Sequence, residues 1–127
     1  MERRAVSPGR PWSNVGYSRA VRVGDLIEVA GTAASAPDGA IVAPGDMYGQ
    51  ARYCLEEIQR AIEELGGKLS DVVRTRVFLT DVSLWEQAGR AHGEMFGEIN
   101  PVCSFLGVSQ LIHPDLMIEI EATAIVQ

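Results

Sequence analysis

The segment from residue 46 to residue 80 is the part of the sequence that most restricts the fold. Its first half places apolar residues three and four positions apart with charged residues between them, which predicts an amphipathic helix that buries one face. Asp46 is a suitable N-cap, and Gly66-Gly67 predicts the end of the helix. The run DVVRTRVFLT over residues 71–80 then alternates as a strand does. The helical apolar positions are Met47, Ala51, Cys54, Leu55, Ile58, Ile62 and Leu65.

The rest of the chain predicts a second helix and four further strands. Residues 17–23 and 26–34 form a predicted hairpin, because the intervening Gly24-Asp25 suits a two-residue type II′ turn. A second amphipathic helix is predicted from about Ser83, with an apolar stripe that includes Trp85, and two strands are predicted over residues 102–109 and 116–126. The order ββαβαββ predicts a two-layer α+β fold, with both helices on one face of a mixed sheet. We expect one domain over residues 1–127, of which residues 1–13 form a loosely ordered N-terminal arm.

Two strands are predicted to carry charge on one face. In the last strand, Glu119 and Glu121 point away from the apolar side chains, and Arg74 and Arg76 are expected to pair with them, because buried charges require partners. In the strand over residues 71–80, the predicted core face is Val73, Thr75, Val77 and Leu79. The uncovered face of the sheet is predicted to include Phe78, Phe105 and Met117, so we expect another copy of the chain to cover it.

Composition restricts the partners. With 11 Lys and Arg against 17 Asp and Glu, the formal charge of −6 disfavours binding to nucleic acid. No apolar run approaches the roughly 20 residues of a membrane helix, and the N-terminal residues lack the apolar segment of a secretory signal, so a cytoplasmic protein is expected. The two cysteines are predicted to be free thiols, and no ligand spacing predicts a metal site. Cys54 and His92 both lie on apolar helix faces, where packing is the favoured interpretation.

Local catalytic motifs are absent from the sequence, but four longer segments form a recognisable pattern. They are GYSRAVRVGDLIEVAGTAA, YGQARYCLEEIQRAIEELGGKLSDVVRTRVFLTDVS, NPVCSFLGVSQL and IEIEATAIV, which together span about residues 14–126. This pattern resembles the RidA/YjgF family, and the run from Gln50 to Asp81 is its most specific part. The resemblance implies a chorismate-mutase-like fold, a homotrimer with ligand clefts at the subunit interfaces, and no cofactor or metal.

The resemblance also implies an activity and a set of site residues. The best-known family reaction hydrolyses enamines and imines such as 2-aminoacrylate to a ketoacid and ammonia. Family ligand-binding positions match Tyr17, Ala30 and Gly31, and the catalytic glutamate matches Glu119. The family arginine that binds the substrate carboxylate matches Cys103. Period-two geometry predicts that Phe105 lines the same wall as Cys103.

The functional interpretation depends on the cysteine at position 103, which matches the family arginine. Losing a bidentate guanidinium costs several kcal/mol of carboxylate binding, so efficient deamination of 2-aminoacrylate is not expected. Arg19 or Arg76 could substitute if either side chain reaches the cleft. One hypothesis is a hydrolase or deaminase that uses Glu119 on another small metabolite, with a nucleophilic Cys103 as a bolder version. The alternative is a trimer that binds a small metabolite without chemistry. The acidic charge disfavours an endoribonuclease, a third activity attributed to some family members.

Overall fold

A six-stranded sheet carries two helices on one of its faces. The computed structural model describes residues 1–127, apart from the side chain of Ser13. The strands are β1 (Arg3–Val6), β2 (Ala20–Val23), β3 (Leu26–Ala33), β4 (Val72–Leu79), β5 (Val102–Gly107) and β6 (Ile118–Ile125). The helices are α1 (Met47–Glu64) and α2 (Trp85–Phe96). Short 3₁₀ turns at Ser13–Val15, Leu69–Asp71 and Val82–Leu84 connect them.

The strands follow the spatial order β1-β2-β3-β6-β4-β5. Strands β4 and β5 run parallel, connected through α2, and the other neighbouring pairs are antiparallel. Helix α1 packs on β3 and β6, and α2 packs beside α1. The predicted two-layer α+β arrangement is therefore confirmed.

Local signals placed the hairpin and the first helix correctly. Gly24 has a φ of 60°, as the first central residue of a type II′ turn requires. The Asp46 side chain accepts a hydrogen bond from the backbone N–H of Gly49 at 2.9 Å, so Asp46 is the N-cap of α1. Gly66, with a φ of 85°, follows the end of α1. Every apolar position predicted for the helix is buried, and so are Leu116, Ile118, Ile120, Ala122 and Ala124 at and before β6.

Part of the predicted N-terminal arm, Arg3–Val6, is a strand. These residues form β1, which pairs with β2 at the edge of the sheet. Arg4 donates a hydrogen bond to the carbonyl of Leu65 at 3.1 Å. This strand has no alternating apolar pattern, because only the last of its four residues, Val6, is buried.

The predicted core face of β4 is wrong at its first residue. Val72 is buried and Val73 is 42% exposed, because the register with β6 shifts between Val72 and Arg74. Such a bulge turns the next side chain to the other face of the sheet. From Thr75 onward the predicted alternation holds, since Thr75, Val77 and Leu79 are buried.

The prediction that Phe105 lies on the uncovered face of the sheet is also wrong. Phe105 is opposite the buried Val77 in the parallel ladder, so both side chains lie on the helix-covered face. Its ring centroid lies 6.2 Å from that of Trp85 and 6.1 Å from that of His92, both on α2. The Trp85 side chain itself is half exposed. Phe105 therefore does not lie on the uncovered face with Phe78 and Met117.

The expected pairing of the β6 carboxylates holds only in part. Arg76 Nη1 lies 3.9 Å from Glu121 Oε1, and these residues are opposite each other in the sheet. Arg74 is opposite Thr123, and Glu119 is opposite Phe78, so register gives neither a charged partner. Within the part of the chain that the structure describes, no helix has the length and apolarity to cross a membrane.

Candidate functional site

A cleft of about 540 Å³ opens where the end of β3 meets the start of β6. The segment that precedes β2 forms one wall, and the turn that precedes β6 forms another. Three of the predicted site residues, Tyr17, Gly31 and Glu119, line this cleft. The other lining residues are Arg10, Trp12, Val15, Arg19, Thr32, Ala33, Ser35, Gly39, Ile41, Glu57, Ile112, His113 and Leu116.

The Glu119 side chain points away from the core, because Ile118 and Ile120 on either side of it are buried. Gly31 on β3 makes room for it: a Cβ at Gly31 would collide with the Glu119 carboxylate and lie 3.0 Å from its Cδ. Burial raises the pKa of Glu119, Glu121 raises it further, and Arg19 opposes them. A carboxylate with a raised pKa is a stronger base, as proton transfer in a cleft requires.

The backbone that carries Glu119 is fixed by Gln50, a buried polar side chain on α1. Gln50 Nε2 donates to the carbonyl of Asp115 at 2.9 Å, and Gln50 Oε1 accepts from the N–H of Met117 at 2.9 Å. Both backbone groups would otherwise lack these partners beneath the helix. Gln50 therefore links the first turn of α1 to the chain two residues before Glu119.

Arg19 reaches the same cleft from the residues before β2. Its Nη2 donates to the carbonyl of Ala30 at 2.8 Å, to that of Gly31 at 3.1 Å and to the Thr32 hydroxyl at 2.6 Å. These acceptors lie where the β3–β6 register shifts, between Val29 and Thr32. Burial lowers the pKa of Arg19, and neighbouring Tyr17 opposes that shift.

Ala30 and Arg76 lie outside this cleft. They line a smaller, more open depression of about 330 Å³ on the uncovered sheet face, together with Glu121. Ala30 and Gly31 are adjacent in the irregular part of β3, but only Gly31 lines the cleft with Glu119. Arg19 and Arg76 were the two possible substitutes for the family arginine that Cys103 replaces. Arg19 lines the cleft with Glu119, and Arg76 does not.

Cys103 and Phe105 are not brought to the cleft within one chain. Cys103 is opposite the buried Thr75 in the parallel ladder and packs against the core below α2. The nearby His92 has its Nε2 2.8 Å from the Thr75 hydroxyl, and its ring packs on Phe96 with centroids 4.7 Å apart. Burial lowers the pKa of His92. These contacts agree with the packing interpretation of His92 and give Cys103 no hydrogen-bonded base among the described side chains.

Cys54 is fully buried on the α1 face that packs against the sheet. Desolvation raises the pKa of its thiol far above the ordinary value, so the thiolate form is strongly disfavoured. Both observations agree with packing. Among the described side chains, no group of three or more His, Cys, Asp or Glu is placed to hold a metal ion.

Several cleft residues were not identified from the sequence. Glu57 belongs to the polar side of α1 and resembled an ordinary exposed helix residue. His113 lies in the turn before β6, where its Nδ1 accepts the N–H of Asp115 at 3.0 Å, so a neutral ring carries its proton on Nε2. Arg10 donates to the Ser35 carbonyl at 3.1 Å and to the Tyr53 hydroxyl at 3.4 Å. Only the pairing of distant segments brings these side chains together, so no local signal could have found them.

The fold and the cleft define a small α+β protein with an uncovered sheet face and a carboxylate-containing pocket. A family model described as Endoribonuclease L-PSP matches residues 8–126. The chain is 36% identical over 122 residues to an uncharacterized protein of Streptomyces coelicolor, which covers 95% of this chain and 90% of that protein. It is 36% identical over 108 residues to a RutC family protein of Pyrococcus abyssi, which covers 85% and 84% respectively.

A solved structure agrees with these sequence relatives. Rv2704 of Mycobacterium tuberculosis, described as a member of the YjgF/YER057c/UK114 family, has a TM-score of 0.88 and 45% sequence identity. The match covers 98% of this chain and 100% of Rv2704. The chain therefore belongs to the Rid/YjgF family, as its sequence pattern predicted.

Proposed function

We propose that this chain is a RidA-like cytoplasmic homotrimer with ligand clefts at its subunit interfaces. We further propose that it hydrolyses a C=N bond of a small metabolite other than 2-aminoacrylate. The observation that carries the proposal is the Glu119 carboxylate, half-buried in a cleft with Tyr17 and Gly31 beside it. Burial raises the pKa of this carboxylate, as expected for a proton-transfer group.

The proposed reaction needs water and one proton-transfer group. Glu119 accepts a proton from water, the oxygen bonds to the imine carbon, and the nitrogen receives a proton. The resulting carbinolamine loses ammonia and leaves a carbonyl compound, so one imine and one water give one carbonyl compound and one ammonia. Tyr17 is proposed to orient the water or the substrate from the facing wall of the cleft. Neither a cofactor nor a metal is needed for this step.

The trimer is proposed to bring a second chain's β5 edge to the cleft. Cys103 and Phe105 are half-buried and lie on this edge strand. In the proposed homotrimer, they would complete the ligand site of a neighbouring copy. Apolar side chains around the same edge are exposed and would be covered by contact between copies. They are Val82, Trp85, Val102 and Leu106, which are 52%, 51%, 57% and 46% exposed.

The proposed substrate differs from 2-aminoacrylate because Cys103 replaces the family arginine. A carboxylate transferred from water to a cleft without this guanidinium loses charge-assisted hydrogen bonds. Such a loss is about 1.5–3 kcal/mol per bond, or roughly tenfold in affinity for each 1.4 kcal/mol. Slow turnover of 2-aminoacrylate is therefore the expected behaviour.

The test generates 2-aminoacrylate and a panel of other small imines in situ and follows ammonia release. The expected result is faster turnover of another imine than of 2-aminoacrylate, with turnover lost in Glu119→Gln. Glu121→Gln is the matched control on the same strand face, outside the cleft. This variant should remain active, and the pH dependence of its activity should move to lower pH, because Glu121 raises the pKa of Glu119 in the wild type. Wild-type turnover of 2-aminoacrylate at the rate of arginine-bearing relatives would contradict the proposed substrate class.

A second candidate function is a trimer that binds a small metabolite without chemistry. The same cleft supports it, since a half-buried carboxylate can bind a ligand without transferring a proton. Binding of panel members without ammonia release, in a protein that elutes as a trimer, would favour this alternative. Light scattering after size exclusion measures the oligomeric state directly, and a monomer would contradict both candidates.

Endoribonuclease activity, which the family description names, is not the activity we propose for this chain. A formal charge of −6 opposes the long-range attraction on which phosphate-backbone binding depends. Incubation with single-stranded RNA at low ionic strength should leave the RNA intact, and cleavage that is lost in Glu119→Gln would overturn this assignment.

A further inference from the structure

Arg19 is a cation in the cleft and makes no ion pair with any of the described side chains. The hydrogen bonds that its guanidinium makes within the described residues all come from Nη2, and all go to uncharged acceptors. Its Nε is buried and has no acceptor in the described part of the chain. No described carboxylate lies within ion-pair distance, although Arg19 shares the cleft with Glu57 and Glu119. The guanidinium is therefore fixed in place by uncharged acceptors, and Glu57 and Glu119 act on its charge only from beyond ion-pair distance.

A fixed, half-buried cation of this kind favours an anionic ligand. Charged groups removed from water are stable when they are paired or bound to a counter-charge, and burial here already lowers the pKa of Arg19. The three acceptors at Ala30, Gly31 and Thr32 hold the group against β3, so little side-chain entropy is lost when a ligand binds. Guanidinium binds planar carboxylates especially well.

We propose that Arg19 binds the carboxylate of the small molecule that occupies the cleft, which makes the ligand class a small organic acid. This inference rests on the proposed function, because it identifies the substrate class of the same cleft. A volume of about 540 Å³ accommodates a metabolite-sized acid. Glu57 and Glu119 disfavour a second anionic group, so the reacting end of the ligand is neutral or cationic.

The position of Arg19 also indicates that the carboxylate of this ligand is placed differently from that of 2-aminoacrylate. The cation comes from the β3 wall of the cleft, whereas position 103 on β5 is uncharged. The carboxylate is thus held from the β3 wall, away from the strand that carries Cys103. A ligand with its carboxylate in another place relative to the C=N carbon fits this arrangement.

The test measures binding rather than turnover. Levulinate has two methylene groups between its carbonyl carbon and its carboxylate, and it should bind more tightly than 2-oxobutyrate, whose carboxylate adjoins the carbonyl carbon. 2-Pentanone is the uncharged probe, and calorimetry at about 0.15 M salt gives the affinities. Arg19→Gln should weaken acid binding about tenfold or more and leave 2-pentanone unchanged. Arg22→Gln is the matched control: it changes the net charge equally, and Arg22 instead donates to the carbonyls of Gly24 and Leu65, both at 2.8 Å, outside the cleft.

A second measurement needs no substitution. In the wild-type protein, adding levulinate should shift the NMR signal of the Arg19 Nε–H group and leave that of Arg22 in place. The proposal is overturned if neither acid binds, if Arg19→Gln binds the acids as tightly as the wild type, or if Arg22→Gln weakens them equally. If the protein hydrolyses imines but binds the acids equally well without Arg19, only this inference is overturned. If acid binding depends on Arg19 but no ammonia is released, only the proposed hydrolysis is overturned.

Discussion

The side-chain carbonyl of Gln50 accepts the backbone N–H of Met117 at 2.9 Å, which joins the first turn of α1 to the start of β6. Replacing Gln50 with leucine leaves the N–H of Met117 and the carbonyl of Asp115 without these partners beneath the helix. We expect a loss of about 1–3 kcal/mol in the free energy of unfolding, measured by urea titration. Gln59→Leu, on a partly exposed position of the same helix, should change it by less than about 0.5 kcal/mol. Equal effects of the two variants would contradict a specific role for Gln50.

Gly31→Ala should displace the Glu119 carboxylate, because the added methyl group would occupy its position. We expect a strong loss of cleft binding together with a destabilisation of about 1–3 kcal/mol. Gly93→Ala is the control on α2, where a Cβ meets nothing within 4 Å and helix propensity should add about 0.5–1 kcal/mol of stability. Ligand titration and thermal unfolding of both variants provide the check, and unchanged binding in Gly31→Ala would count against the observed contact.

The raised pKa of Glu119 predicts how stability depends on pH. Because the folded state favours the protonated carboxyl, Glu119 contributes stability that is fully present below the unfolded pKa of about 4.3 and is lost as the pH rises through the folded value. Glu119→Gln should therefore gain stability relative to the wild type as the pH rises across that window. Urea titrations at several pH values between about 4 and 8 measure the difference, and a flat or opposite trend would show that burial does not dominate at this site.

The contact between Thr75 and His92 should be measurable as a coupling energy. Thr75→Val removes the hydroxyl that lies 2.8 Å from His92 Nε2, and His92→Leu removes the ring from the other side. In a double-mutant cycle we expect a coupling of about 1 kcal/mol, typical of one hydrogen bond. Additive effects on the free energy of unfolding would mean that this hydrogen bond contributes no net stability.

The sequence was sufficient for features that depend on neighbouring residues. The Gly24 turn, the Asp46 cap and the apolar face of α1 follow from local conformational preference and spacing, and all are present. The exposure of Val73 was not predictable, because the bulge depends on pairing with β6. The edge strand Arg3–Val6 lacks a pattern for the same reason: pairing with β2, rather than its composition, makes it a strand.

The candidate site was predictable only as far as the family pattern extends. Tyr17, Gly31 and Glu119 do line one cleft, although their role in binding or chemistry stays a prediction. Alternation correctly placed Cys103 and Phe105 on a common face, but period two cannot tell which face that is. The parallel register with β4 decides it, since Phe105 follows the orientation of Val77. The position of Arg19 in the cleft likewise depends on the irregular end of β3.

Strand β6 lies between β3 and β4 in the sheet. In the sequence, these three strands are far apart from one another. Among the strands that the structure describes, β6 alone connects the β1-β2-β3 half of the sheet to the β4-β5 half through hydrogen bonds. Contacts between distant segments slow folding, because the loops must close before the strands pair. Docking of β6 should therefore limit the folding rate, and the two halves of the sheet should unfold together once β6 detaches.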